Sequence, residues 1–114
     1  MYIFHKLKNK MTDKMLKIVD IGQQTPPKRD VVKRKGDFKE IYDEFINQKA
    51  KEQSSRCSQC GVPFCQVHCP LSNNIPDWLK LTAEGRLKEA YELSQSTNNM
   101  PEVCGRICPQ DRLC

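Results

Sequence analysis

The chain has 114 residues, with 19 lysines and arginines against 14 aspartates and glutamates for a formal charge of +5; only 38% of it is hydrophobic and 7% aromatic. So few large apolar side chains exclude an extensive hydrocarbon core, and no stretch approaches the roughly 20 apolar residues that a membrane helix needs. Lysines break the opening MYIFHKLKNK too often for a signal peptide, so the chain reads as soluble and cytoplasmic, a reducing setting in which its seven cysteines bind metal more readily than they form disulfides.

The charge is uneven. Residues 1–56 hold 14 basic and 8 acidic side chains, whereas 57–114 hold 5 and 6 together with every cysteine. This divides the chain into a basic, extended arm over 1–36 and a Cys-rich module over 37–114. Met11 or Met15 would also serve as a start, in which case Met1 to Lys10 would be an upstream extension. Within the arm, Thr25 to Gly36 (TPPKRDVVKRKG) pairs prolines with close cations and is expected to lie extended on a surface. Nucleic acid is a poor partner for it, because Asp13, Asp20, Asp30 and Asp37 interrupt the cations and no aromatic interleaves them for base stacking. A solvated or protein-docking arm is the plainer reading.

From Asp37 the pattern changes. Phe38, Ile41, Tyr42, Phe45 and Ile46 recur at spacings of three and four, predicting an amphipathic helix over 37–54 capped by Asp37. Its apolar stripe is expected to pack over the module rather than to hold a cofactor. Asn74-Ile75-Pro76, a capping Asn with an early Pro, announces a helix through Trp78, Leu79 and Leu81. Another follows Gly85 with Leu87, Ala90, Tyr91 and Leu93, and a short one starts at Pro101. No alternating run predicts a strand, so the fold class is all-α.

The cysteines read Cys57-x2-Cys60-x4-Cys65-x3-Cys69-Pro70 and Cys104-x3-Cys108-Pro109-x4-Cys114. The C-x2-C pair is a local chelate, and Cys65 can close a further side of an iron-sulfur cluster. A last Cys before Pro follows the logic of two-cluster ferredoxins, in which that Cys serves the other cluster. Structural zinc is the competing reading, although zinc ribbons carry two short pairs and only one is present. His68 is a neighbour of the site or a surface residue sooner than a ligand. A redox dithiol lacks its βαβ setting, and a cysteine nucleophile lacks a base, His5 and His68 being the only histidines. The five glycines never form G-x-G-x-x-G.

At Arg56 to Tyr91 (RCSQCGVPFCQVHCPLSNNIPDWLKLTAEGRLKEAY) and Asn98 to Cys114 (NNMPEVCGRICPQDRLC) the chain resembles the N-terminal iron-sulfur domain of the NADPH-dependent glutamate synthase small subunit. Related domains occur in dihydropyrimidine dehydrogenase. The resemblance implies a small helical, alpha-helical ferredoxin-like domain with two [4Fe-4S] clusters. These would pass electrons from a flavin reduced by NADPH to the large subunit, where glutamine-derived ammonia and 2-oxoglutarate become glutamate. It further implies that Cys57, Cys60 and Cys65 bind one cluster and that Cys69, Cys108 and Cys114 bind the other. Cys104 is either a substitute ligand or a thiol near the cluster. Family members continue past Cys114 with another Cys and a flavin- and NADPH-binding portion, so the chain reads as truncated, without FAD or NADPH sites and not catalytic alone. Backbone amides around Gly61 and Gly105 are expected to donate to cluster sulfurs, and Arg56, Arg106 and Arg112 either offset cluster charge or are plain surface cations. The alternatives are a non-redox fragment that binds zinc or the large subunit, and the iron-sulfur domain of another flavin oxidoreductase.

Overall fold

A computed structural model of the chain describes residues 15–114, so the readings placed on Met1 to Lys10 and on Met11 lie outside the described residues. Among the described residues the regular structure is helical: α1 Val31–Lys35, α2 Asn47–Ser54, α3 Phe64–Val67, α4 Ile75–Glu84, α5 Leu87–Gln95 and α6 Pro101–Ile107, with 3₁₀ turns at Lys17–Val19 and Gln110–Arg112. There is no strand among them, only an isolated antiparallel bridge between Lys28 and Tyr42. The fold is all-α.

The helix signals hold where they are local. Pro76 sits in the first turn of α4 and Pro101 in that of α6, positions where a missing amide hydrogen costs nothing. Gly85 ends α4 with φ 82, and the amides of Gly85 and Arg86 close back on Thr82 and Leu81 at 3.0 and 2.9 Å. That left-handed stop is glycine's natural place and lets α5 fold back along α4. Asn74 does occupy the residue before α4, but its side chain makes no cap bond and instead accepts from Gln66 Nε2 at 3.0 Å.

The helix expected over 37–54 is only its second half. Residues 37–46 are not helical because their amides are taken by nearer partners. The Asp37 carboxylate accepts from Lys39 N at 3.0 Å, the Glu40 carboxylate accepts from Ile41 N at 2.8 Å and Tyr42 N at 3.2 Å, and Asp43 N donates to Pro27 O at 2.8 Å. Short acidic side chains that bond local backbone compete with helix in this way. Asp37 is therefore no helix cap; its second partner is Arg29, paired at 2.6 Å. The apolar stripe is not buried over the module either: Phe38 is fully exposed, Ile46 largely so, and Ile41, Tyr42 and Phe45 are at most half-buried.

Within the stretch expected to lie extended, Lys17–Val19 form a 3₁₀ turn and Val31–Lys35 a turn of α-helix. The Asp30 carboxylate caps it by accepting from Val32 N at 2.8 Å. Upstream, the chain is laid against the module: Leu16 N donates to Cys57 O at 2.9 Å, Lys17 N to Ser55 O at 3.1 Å, and Arg56 Nε to Ile21 O at 2.8 Å.

Packing centres on α4, which lies against α2, α5 and, more lightly, α3. The scarcity of apolar residues shows in the interior, where Ala90 is the buried hydrophobic residue and Ser54, Ser55 and Asn73 are buried polar ones. Asn73 accepts from Trp78 Nε1 at 2.9 Å and donates to Ser94 O at 2.7 Å and Thr97 Oγ1 at 3.1 Å, so a polar side chain joins α4 to the end of α5. Buried polar atoms that are fully paired in this way hold a small domain in one arrangement.

Candidate metal centre

The seven cysteines are free thiols, with Cys60 and Cys114 exposed and the other five half-buried. Cys57 follows the end of α2, its amide closing on Ser54 O at 3.3 Å and its carbonyl held by Leu16 N. Cys65 lies within α3. Cys69 comes just after it, with its amide on Gln66 O at 3.2 Å and its carbonyl accepting from Ser72 N at 2.9 Å. Cys104 is in α6 and Cys108 ends that helix one turn on, its amide donating to Cys104 O at 2.9 Å. Spacing of four on a helix puts those two on one side.

Cys65 reports on its neighbours. Burial raises its thiol above the ordinary value, and the nearby Cys57 and Cys114 thiols raise it further. Metal ligation by a cysteine takes its thiolate in place of the proton. Among the described residues no group of three or more His, Cys, Asp or Glu is drawn together tightly enough to hold one metal ion. Several unpaired, partly shielded thiols match the soft donors that iron-sulfur clusters use.

The groups around the cysteines are less as expected. Arg56 is occupied by Ile21 O, and Arg106 is paired with Glu40 while lying 6.0 Å from the Tyr42 ring centre, which commits both cations to the arm and to residues 37–46. Arg112 is exposed in the last 3₁₀ turn. His68 is exposed and stacked on Phe64, ring centres 5.9 Å apart. Among the described residues the donors directed at a cysteine sulfur belong to Gln59, which sequence reasoning missed. Both its backbone amide and its side-chain amide reach Cys57 Sγ, at 3.5 and 3.3 Å. Its position inside C-x2-C is the one signal that could have drawn notice to it.

Residues 34–114 match the family model described as dihydropyrimidine dehydrogenase domain II, 4Fe-4S cluster. The chain belongs to this iron-sulfur family. It is also 68% identical over 101 residues to the glutamate synthase [NADPH] small chain of Azospirillum brasilense, covering 89% of this chain and 21% of that protein. With the Escherichia coli K12 protein of the same name it shares 51% over 104 residues, 91% of this chain and 22% of that one. The Bacillus subtilis counterpart is 41% identical over 100 residues, 80% and 20%. The chain thus spans about a fifth of the length of these relatives. No helix among the described residues is long and apolar enough to cross a membrane.

Proposed function

We propose that this chain is the iron-sulfur electron-transfer segment of an NADPH-dependent glutamate synthase small subunit, working in the cytoplasm. The observation that carries this reading is the set of seven free cysteines lying inside the region that matches the iron-sulfur family, together with 68% identity to a small chain of that name. In the proposal Cys57, Cys60 and Cys65 hold one [4Fe-4S] cluster and Cys69, Cys108 and Cys114 hold the other, with Cys104 beside the second group. When bound, such clusters accept and pass on single electrons, at potentials set by burial, net charge and hydrogen bonds to sulfur.

The chain's own residues supply the framework for that chemistry. The short turns after α2 and around α3 hold Cys57, Cys65 and Cys69 by backbone bonds, while α6 presents Cys104 and Cys108. Asn73 fixes α4 against the end of α5. Clusters held by these cysteines would supply single-electron transfer between a flavin reduced by NADPH and the large subunit.

The test is iron, acid-labile sulfide and zinc per chain after anaerobic reconstitution, with absorption and EPR spectra. About eight iron and eight sulfide with cluster EPR signals support the proposal; EPR-silent protein with stoichiometric zinc overturns it. Cys60→Ser is expected to reduce the iron content, and unchanged iron would refute the ligand assignment.

A further inference from the structure

Gln59 combines two features that ordinary loop residues lack. Its backbone is left-handed, φ 51, a conformation uncommon for a residue with a side chain. It also directs two donors at one sulfur: the backbone N–H lies 3.5 Å and the side-chain Nε2 3.3 Å from Cys57 Sγ. The same Nε2 donates to Pro76 O at 2.7 Å, in the first turn of α4, where Pro76 is buried. An amide nitrogen carries two protons, so both bonds form at once. The bond to α4 sets the plane of the amide and leaves the other proton on the sulfur.

A thiolate that holds a cluster carries negative charge, and that charge grows when the cluster takes up an electron. Donors fixed on the sulfur therefore favour the reduced form over the oxidised one and raise the potential. We infer that Gln59 is a positioning residue that sets the reduction potential of the cluster held at Cys57, with its side-chain amide braced on α4 for that purpose. This rests on the proposed ligation by Cys57 and deepens it. A residue that only ordered the loop would affect stability and leave the potential where it was.

The test compares the unsubstituted chain with Gln59→Leu and Gln59→Glu after anaerobic reconstitution, reading midpoint potentials by EPR-monitored titration beside iron and sulfide content. Leu keeps the backbone donor and removes both side-chain bonds. The reduction equilibrium of one cluster is expected to move about threefold to tenfold toward the oxidised form, about 28 to 59 mV lower for a one-electron couple, with iron content unchanged. Glu shifts it further in the same direction, because a carboxylate replaces the donor. Unmoved potentials with iron retained overturn the inference, and so does loss of iron from both variants, since Gln59 would then serve assembly; if only one variant keeps its iron, that variant decides. Failure of the unsubstituted chain to take up iron overturns instead the cluster reading beneath it.

Discussion

The indole of Trp78 donates to the side-chain oxygen of Asn73 at 2.9 Å, joining the start of α4 to a residue that also reaches Ser94 O and Thr97 Oγ1. With Ala90 as the buried hydrophobic residue among the described ones, hydrophobic burial alone holds α4 to α5 weakly, and this polar junction takes on much of the task. Asn73→Ala removes the partner of the half-buried indole N–H and Ser94 carbonyl and of the exposed Thr97 hydroxyl. We expect a loss of about 2–3 kcal/mol and a clear drop in thermal midpoint, with tryptophan fluorescence shifting as Trp78 is released. A midpoint equal to the parent's would show that the junction is dispensable.

Gly85 tests the reversal between α4 and α5. At φ 82 an added Cβ would lie 2.8 Å from Lys51 Nζ, a flexible tip that can move aside, so the cost falls on the left-handed backbone. Gly85→Ala is expected to destabilise by about 1–2 kcal/mol, readable as a lower urea midpoint with unchanged slope. Lys51→Ala in the same background should recover little of it.

Arg29 and Asp37 pair through two bonds, 2.6 and 3.2 Å. The Arg29 guanidinium, followed by the Lys39 amide, holds the Asp37 carboxyl below its ordinary value. A carboxyl whose folded value is depressed contributes stability above its unfolded value, about 3.9, and loses it as pH falls through the folded one. Asp37→Asn should therefore be less stable than the parent near neutrality, and the difference should close as pH falls below about 4. Thermal melts across pH 2.5 to 7 would show it; a constant difference would assign the effect to something other than the ion pair.

Gln53 fastens the arm from both ends of its amide, with Oε1 accepting from Gln24 N at 2.9 Å and Nε2 donating to Gly22 O at 3.2 Å. These exposed bonds are worth about 1 kcal/mol each at most. Gln53→Ala should leave the global melt nearly unchanged while limited proteolysis cuts faster around residues 20–29. Cleavage at the parent's rate would mean that Arg56 and the amides of Leu16 and Lys17 suffice to hold the arm.

Much of this protein follows from local signals in the sequence. Pro76, Gly85 and Pro101 mark helix ends wherever they stand, because a missing amide hydrogen or a left-handed stop acts within a single turn. The count and grouping of the cysteines, set against so little apolar material, point to ligation over a hydrocarbon core before any packing is known. Residues 37–46 could not be read in the same way. Phe38, Ile41, Tyr42, Phe45 and Ile46 have helical spacing, yet Arg29 and Pro27 on the arm, with the Asp37 and Glu40 carboxylates, claim the groups that a helix would have used. The pairing of Gln59 with Pro76 and of Asn73 with Ser94 and Thr97 was likewise decided by tertiary structure, since each depends on a hydrogen-bond partner from another segment. Periodicity records which residues could share a face; which partner captures a backbone or amide group depends on segments distant in sequence being brought together.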